Sequence, residues 1–373
     1  MTLRQLLTLG QEGPAAADGG NVGHIRMSRD DQVQWKFLGP PGQSTRGREP
    51  ESTSYRRLAD NSKAPENAKP AAPPAVPGLG TVPEDGPLAH APRAYGKKLT
   101  EFTPTPLARP IGMNFPPNAG ENTGIDKRSL RQRHADFTNY EKHLQRRQYL
   151  KSQISRPYFR DWANLQFHEG KTFLAPPRPF RADVSLFFPN LHGRTLLKGA
   201  AGKAADTTPL LEGRASVVSI FSGLWAENQA STFTSPEQNP ALHEVLQASK
   251  GRAQLVRVNV EEDMLKAWLV RLFSGSLRRR VGKDDWHRYF LVRKGITDEI
   301  RESIGLLNRK VGYTYLVDHE CRIRWAGSGP AEAGEREGLV KGLQRILSEM
   351  KEEGVGEHYT RKTLLMAKKK DSQ

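Results

Sequence analysis

The stretch that decides the fold is Ala215 to Phe221, which reads ASVVSIF and is followed by SGLWAE from Ser222 to Glu227. This run of apolar and small residues, several of them β-branched, lies between Gly213 and Gly223. Such a pattern is typical of a strand buried inside a sheet. We therefore expect a central strand that leads directly into a helix.

The same order of strand and helix recurs along the rest of the chain. Leu255 to Val260 predicts the next strand, with a helix over Leu265 to Leu272 behind it. Trp286 to Val292 predicts a third strand, and Thr297 is placed to cap the helix that follows. Three consecutive strand-helix units are therefore expected.

Hairpins are predicted on both sides of these units. Phe187 to Asn190 and Thr195 to Leu197 are expected to form two short strands around a turn that contains Gly193. Tyr313 to Val317 and Cys321 to Trp325 predict a second hairpin, with Cys321, Ile323 and Trp325 on one face. A last helix then presents one apolar side, formed by Leu339, Leu343, Ile346, Leu347 and Met350.

This order indicates an α/β fold in which a mixed sheet is flanked by helices. It resembles the thioredoxin-like fold in its peroxiredoxin-type variety. Catalytic members hold a thiolate at the helix N-terminus after the central strand, where the positive field lowers the thiol pKa. Here that loop, Ser222 to Glu227, has no cysteine, and the sole cysteine, Cys321, lies in the late hairpin. We expect Cys321 to be structural and the chain not to be an enzyme.

Other catalytic and metal motifs fail a test of spacing. Gly170-Lys171-Thr172 lacks the glycine that a phosphate loop requires at position 165, where Leu165 stands. None of the ten histidines forms an HExxH pattern or pairs with a cysteine at zinc spacing. We expect no catalytic residue, no metal and no cofactor.

The chain before the predicted domain divides into two segments. Residues 1–125 are interpreted as a Pro-rich disordered leader, because half of the 26 prolines lie between Ala64 and Pro117 among few large apolar residues. Met1 to Gly10 carries Arg4 and four leucines without an acid, as the start of a mitochondrial presequence does. Residues 126–156 carry nine basic and three acidic residues and predict a basic amphipathic helix. A solvated connector helix is the alternative.

The domain itself is expected over residues 157–352, with a basic tail over 353–373. The net charge of +16 predicts attraction to anionic surfaces, which include nucleic acid, acidic lipid and acidic protein. No apolar run approaches the roughly 20 residues that a membrane-spanning helix needs. A single cysteine also argues against a secreted, disulfide-stapled scaffold.

Several idiosyncratic phrases carry a more specific resemblance. They are PYFRD from Pro157, GKTFLAPP from Gly170, FRAD from Phe180, FFPNLHG from Phe187, WAENQ from Trp225, Leu269 to Phe273, Gly312 to Val317, and IRWAG from Ile323. Together they resemble a family of mitochondrial ATP synthase assembly factors, over about Arg156 to Leu347. The resemblance implies a non-enzymatic chaperone, peripheral on the matrix side of the inner membrane. Its implied partners are the mitochondrially encoded subunit a and the subunit c ring.

The residues expected to contact a partner fall into four groups. They are Phe173, Pro176, Pro177 and Phe180 in a stiff proline segment, Phe187, Phe188, Asn190 and His192 in the first hairpin, Trp225 and Gln229 at the lost redox site, and Arg278, Arg279 and Arg280 in a predicted loop. Each group has a structural alternative: a strap over the core, turn chemistry, core packing and a solvated basic run, respectively. The arginines and the basic helix are the segments expected to meet anionic lipid.

Two rival functions remain at this point. The charge of +16 is compatible with mitochondrial RNA binding, although no aromatic RNA-recognition motif supports it and we expect no nucleic-acid partner. A thiol-dependent reductase that uses Cys321 is the other rival. A Cys321→Ser variant separates that enzyme from a chaperone, because only the enzyme requires the thiol.

Overall fold

The computed structural model describes residues 86–95, 98–126, 128–154, 159–199, 204–262 and 274–354. In chain order the elements are α1 (Leu130–Thr138), α2 (Tyr140–Ile154), α3 (Arg160–Ala163), β1 (His192–Thr195), β2 (Ala205–Asp206), α4 (Thr208–Leu211), β3 (Ala215–Phe221), α5 (Gly223–Thr234), α6 (Pro240–Ala248), β4 (Ala253–Val260), α7 (Ser274–Val281), β5 (Tyr289–Val292), α8 (Asp298–Ser303), β6 (Tyr313–Val317), β7 (Ile323–Ser328) and α9 (Ala333–Glu352). Short 3-10 turns lie at Asn164–Gln166, His168–Gly170, Ala182–Val184 and Trp286–Arg288.

One mixed sheet organises these elements, in the strand order β2-β1-β5-β4-β3-β6-β7. β4 pairs in parallel with β3 and β5, whereas the remaining pairs are antiparallel. Every residue of β3 is buried, as its β-branched sequence predicted. The thioredoxin-like mixed sheet flanked by helices is therefore confirmed.

The sheet has a packed core on each face, because successive residues of a strand point to opposite sides. Val218 belongs to one core and Val217 to the other. On the second face Trp325 packs edge-on against Phe233, with ring centroids 5.8 Å apart. The predicted apolar side of α9 covers this face, and Leu339, Leu343, Ile346 and Met350 are all buried there. Each such side chain contributes about 2 kcal/mol of burial free energy.

The predicted leader extends too far, because much of residues 86–122 packs on the domain. Leu88, Leu107 and Ile111 are buried in the first core. The Leu107 amide donates to the Leu174 carbonyl at 3.0 Å, and the Arg93 guanidinium pairs with Glu302 at 3.0 Å. These contacts offset the conformational entropy that is lost when the segment becomes ordered. A count of prolines does not reveal them. We name residues 86–95 and 98–122 the N-terminal strap.

The predicted basic helix over 126–156 is two helices, α1 and α2, joined at Asn139. The backbone of Asn139 is extended, and its side chain accepts from the Glu141 and Lys142 amides at 3.0 and 3.2 Å. Asparagine is a favoured N-cap, so it starts a second helix where periodicity alone predicts continuity. No residue of α1 is buried, and Phe137 and Tyr140 are exposed. We name residues 126–154 the basic arm.

Two predicted strand boundaries are wrong, one in the first hairpin and one in the third strand-helix unit. Phe187 forms only isolated bridges, to Met113 and Arg322, because Pro189 has no amide hydrogen to continue a ladder. The first hairpin instead pairs β1 with β2. The third predicted strand also starts late, since residues 286–288 form a 3-10 turn before β5.

The predicted shared face of Cys321, Ile323 and Trp325 is likewise wrong. Leu316 pairs with Trp325 and Val317 with Ile323, so a bulge inserts one residue into β7. A shift of one residue moves a side chain to the opposite face of a strand. Ile323 consequently lies in the first core with Cys321, and Trp325 in the second.

Three predicted segments fall outside the described residues: the leader up to residue 85 with its presequence-like start, the helix over Leu265 to Leu272, and the tail beyond residue 354. Within the described ranges, no helix combines the length and the apolar character that crossing a bilayer requires.

Candidate functional site

A cleft lies at the edge of the sheet where the parallel strands β3 and β4 end. Phe221 pairs with Asn259, so the two strands finish side by side. The cleft has a volume of about 230 Å³ and is lined by Ile220, Phe221, Ser222, Val260, Glu261, Glu262, Arg301, Leu306, Asn308, Arg309, Lys310, Val311 and Tyr313. The carboxyl ends of parallel strands are the usual location of ligand sites in α/β proteins.

Charged side chains of both signs line the cleft. Glu262 accepts from Arg301 and from Arg309, the latter at 2.8 Å. Arg309 also lies 3.8 Å from Asp298. The Lys310 ammonium stands 5.3 Å from the centroid of the Trp162 ring, within the range of a cation-π contact. This charged floor was missed from the sequence.

Exposed apolar side chains follow Ser222 along the chain, and another, Trp162, lies against Lys310 of the cleft lining. Ser222 lines the cleft and α5 starts at Gly223, whose φ of +79° favours glycine. The next two side chains, Leu224 and Trp225, are 65% and 54% exposed, and Trp162 is 53% exposed. Large apolar side chains exposed together mark sites of protein contact.

The sole cysteine lies at the other end of the sheet. β6 runs antiparallel to β3, so Tyr313 sits beside Ile220 at the cleft, whereas Val317 and the turn to Cys321 sit beside the start of β3. Cys321 is 1% exposed, and burial raises the pKa of its thiol to about 12. A thiol with that pKa remains protonated at neutral pH and is not a nucleophile.

Comparison with known proteins decides the family. The model of the family described as ATP10 protein matches residues 93–346. This chain belongs to that family. Relatives named mitochondrial ATPase complex subunit ATP10 include one from Eremothecium gossypii, 35% identical over 64% of this chain and 85% of the relative. Another, from Saccharomyces cerevisiae, is 28% identical over 66% of this chain and 88% of the relative.

Solved structures similar to this ATP10 family member include thiol-disulfide proteins. A secreted thiol-disulfide isomerase from Corynebacterium glutamicum has a TM-score of 0.32 and 11% identity, over 48% of this chain and 99% of that chain. A DsbF homologue from Corynebacterium diphtheriae has a TM-score of 0.29 and 11% identity, over 46% of this chain and 90% of that chain.

The proline segment of this ATP10 family member, which is separate from the N-terminal strap, lies over the core. Phe173 is buried in the first core, and its backbone amide donates to Ser328 Oγ at 3.0 Å. The Pro176 carbonyl accepts from the Trp325 indole at 2.9 Å, and the Phe180 amide donates to the Arg324 carbonyl at 2.7 Å. Of the four predicted contact residues here, only Pro177 is exposed.

The predicted contact residues of the first hairpin lie mostly inside the fold. Phe188 is fully buried against Tyr315, and Phe187 is partly buried beside Arg322. The Asn190 amide donates to Asp206 and to the Glu121 carbonyl, both at 2.9 Å. His192 Nδ1 lies 2.8 Å from the same Asp206 carboxylate. These polar contacts tie the strap and β2 to the domain.

Trp225 and Gln229 have different surroundings although they lie one helical turn apart. Trp225 is exposed in the first turn of α5, whereas Gln229 is buried. The Gln229 amide donates to the Glu169 carbonyl at 2.8 Å and accepts from the Gly312 amide at 3.1 Å. Gln229 therefore holds α5 against its neighbours, and Trp225 is the member of the pair that faces solvent.

The arginines predicted in a loop lie in α7 instead. Arg278 donates to the Leu196 carbonyl at 2.7 Å and stands 5.8 Å from the centroid of the Trp286 ring. Arg280 pairs with Glu227 at 3.0 Å. Arg279 is exposed. Two of the three side chains therefore hold α7 to neighbouring elements, which the run of like charges did not indicate.

Proposed function

We propose that this chain is an assembly factor for mitochondrial ATP synthase that binds newly made subunit a and promotes its joining to the subunit c ring. The observation that supports it most is the exposed apolar turn at Leu224 and Trp225, located where a redox member of this fold needs its thiolate. A surface of this kind suits an apolar client better than a water-soluble substrate.

The proposed activity is binding without catalysis. A thiol enzyme needs a low-pKa cysteine at the start of α5, and that turn contains Gly223, Leu224 and Trp225. The only thiol, that of Cys321, is buried and remains protonated at neutral pH. In this proposal the fold keeps its rigid sheet and its cleft and uses them to hold a partner.

The basic arm supplies the second contact of the proposal. Its net charge is positive, and Leu130, Phe137 and Tyr140 expose apolar surface among those charges. Helices of this composition lie on anionic lipid with the apolar side chains at the acyl boundary. The chain would then be peripheral on the matrix face of the inner membrane, beside the membrane-inserted client. Two weak contacts on one chain raise the overall affinity through effective concentration.

Co-purification from detergent-solubilised mitochondria tests the proposal. The full chain should recover subunit a, and a Trp225→Ser variant should recover at least several-fold less at equal expression. Lys341→Gln is the matched control, because Lys341 is an exposed side chain on α9 that lines no part of the cleft. Recovery of RNA alone, or of soluble matrix proteins alone, would reject the client and favour one of the rival functions.

A further inference from the structure

One end of the domain gathers features that lie far apart in sequence. The strands β3, β4 and β5 are parallel neighbours and finish together at Phe221, Val260 and Val292. We name this end of the domain the carboxyl end. The cleft lies there, and α5 starts there because it follows β3 directly. Leu224 and Trp225 are exposed in the first turn of α5, and helical side chains tilt toward the helix N-terminus, so both are presented at the carboxyl end.

The basic arm starts at the same end. The segment that leads into it crosses the loop after β5, where Gly295 packs against the Asn122 carbonyl and Gly124 packs against Lys294. Neither contact leaves room for a Cβ, and both glycines have positive φ. Arg293 and Lys294 are exposed in this loop and make no ion pair among the described residues. This junction therefore fixes the start of the arm and adds two cations to the carboxyl end.

The chain returns from the arm to the carboxyl end as well. The Asp161 carbonyl in α3 accepts from the Asn308 side chain at 2.9 Å. The Lys310 ammonium stands 5.3 Å from the centroid of the Trp162 ring. Asn308 and Lys310 both line the cleft, so α3 lies beside it. Both junctions of the arm with the domain are consequently at one end, and Trp162 remains half-exposed at the second junction.

The positive charge of the carboxyl end comes from the arm and the loop after β5. Two acidic residues of the arm, Asp126 and Asp136, are engaged in ion pairs within the arm. Arg131, Arg146 and Arg147 are exposed and form no ion pair within the part of the chain that the structure describes. The cations of the cleft, by contrast, lie beside acidic side chains that balance them. The arginines of the arm therefore have their charge available for an anionic partner.

Exposed apolar side chains concentrate at the same end. Over the described ranges, all the large apolar side chains that are exposed, except Phe115 and Val184, belong to the arm, to its two junctions or to the first turn of α5. Leu130 and Phe137 lie two turns apart on one side of α1. Apolar surface gathered in this way marks a contact with a protein or a membrane.

We infer that the carboxyl end is the face with which this domain docks on an anionic lipid bilayer, so that the arm and the first turn of α5 contact the bilayer together. The apolar side chains would enter the acyl boundary, and the arginines would meet the phosphate headgroups. Tryptophan and tyrosine suit this depth because each has an apolar body and a polar tip. A nucleic acid would neutralise the same arginines but would leave Leu130 and Leu224 uncovered. This inference rests on the proposed function, whose lipid contact it extends from the arm to the domain, and it turns the cleft toward the membrane.

Environment-sensitive labels test the docking face on the full chain. A nitrobenzoxadiazole group is attached to Phe137→Cys, Trp162→Cys or Leu224→Cys. The native Cys321 is buried and does not compete for the label. Vesicles that contain phosphatidylglycerol should shift the emission of all three labels to the blue and protect them from iodide quenching. A response at Phe137→Cys alone would confine the contact to the arm and overturn the inference, and equal shifts with single-stranded RNA in place of vesicles would also overturn it.

Phe115→Cys is the matched control for orientation. Phe115 is 80% exposed, but it lies two residues from Met113, whose bridge to Phe187 is beside Arg322 at the opposite end of the sheet. A label there should keep its emission and its quenching by iodide when vesicles are added. A response equal to that of Leu224→Cys would contradict docking by the carboxyl end.

Serine variants separate the apolar contact from the charged one. Leu224→Ser combined with Trp225→Ser changes two exposed side chains and should keep the fold. Its affinity for the phosphatidylglycerol vesicles should fall about tenfold while the salt dependence stays. Arg146→Gln combined with Arg147→Gln should instead reduce the salt dependence. Unchanged affinity of the folded double serine variant would overturn the contact of α5 with lipid.

Vesicles contain no subunit a, so this test and the co-purification fail independently. Docking of the carboxyl end without recovery of subunit a would remove the proposed client and leave the docking face. Recovery of subunit a by a chain whose label at position 224 does not respond to vesicles would leave the client and remove the docking face.

Discussion

Replacing Gln229 by alanine separates the packing of α5 from contact at its exposed Trp225. The buried Gln229 side chain joins α5 to the 3-10 turn at residues 168–170 and to the start of β6. Its removal loses two hydrogen bonds, each worth about 1 kcal/mol, and leaves the buried Gly312 amide unsatisfied at a further cost of about 1–3 kcal/mol. We expect the free energy of unfolding to fall by about 3–5 kcal/mol.

Trp225→Ser is the matched comparison, because that side chain lies one turn earlier on the same helix and is exposed. Exposed substitutions usually change stability by no more than about 0.5 kcal/mol. Urea unfolding of both variants, followed by far-ultraviolet circular dichroism, measures the two changes in the free energy of unfolding. We expect the slope of that free energy against urea concentration to be the same for both variants. Client recovery should fall for Trp225→Ser although its stability is unchanged.

Gln229→Glu gives an intermediate test of the geometry. At neutral pH the carboxylate still accepts from the Gly312 amide but no longer donates to the Glu169 carbonyl. We expect the free energy of unfolding to fall, because the donor is missing and because a carboxylate oxygen is brought close to the Glu169 carbonyl oxygen. The reasoning is refuted if Gln229→Ala unfolds at the wild-type urea concentration, or if Trp225→Ser is destabilised as much as Gln229→Ala.

Three further predictions use other parts of the structure. Burial raises the pKa of the Cys321 thiol to about 12, so the thiol stays protonated at pH 8 and should react with iodoacetamide only in denaturant. Rapid labelling of the native chain would contradict its burial. Trp325→Phe loses the indole hydrogen bond to the Pro176 carbonyl and should lower the free energy of unfolding by about 1–3 kcal/mol in the same urea assay. An unchanged urea midpoint would show that the proline segment does not depend on this hydrogen bond. The full chain should co-sediment with vesicles that contain phosphatidylglycerol and detach as salt rises from about 50 to 500 mM. Arg131→Glu with Arg133→Glu should weaken that binding, and equal binding to uncharged phosphatidylcholine vesicles would argue against the lipid contact.

The strands with strong local signals were predictable from sequence. Ala215–Phe221 is a run of apolar and small residues of strand length, with a glycine two residues before it and another two residues after it. It is a strand over that whole range. The apolar side of α9 was equally clear, because its period of 3.6 residues runs over many turns. Local sequence settles such elements because burial of the whole strand, or of one side of the helix, is their main requirement.

Other features depend on partners that are distant in sequence. Leu88 and Ile111 sit among prolines, and only the core they meet shows that the strap is ordered. The bulge in β7 reverses the face of Trp325, and alternation alone has no signal for it. Arg301 was not singled out from the sequence, and only the packing of distant elements places it in the cleft lining beside Glu262.

Site-specific photocrosslinking inside mitochondria tests the central claim most directly. A benzoylphenylalanine at position 225 of the full chain, activated while mitochondrially encoded subunits are being made, should form an adduct with subunit a that ribonuclease does not remove. The same group at position 341, on α9 and outside the cleft lining, should not form it. Equal adducts from both positions, or no adduct with subunit a from position 225, would contradict the account.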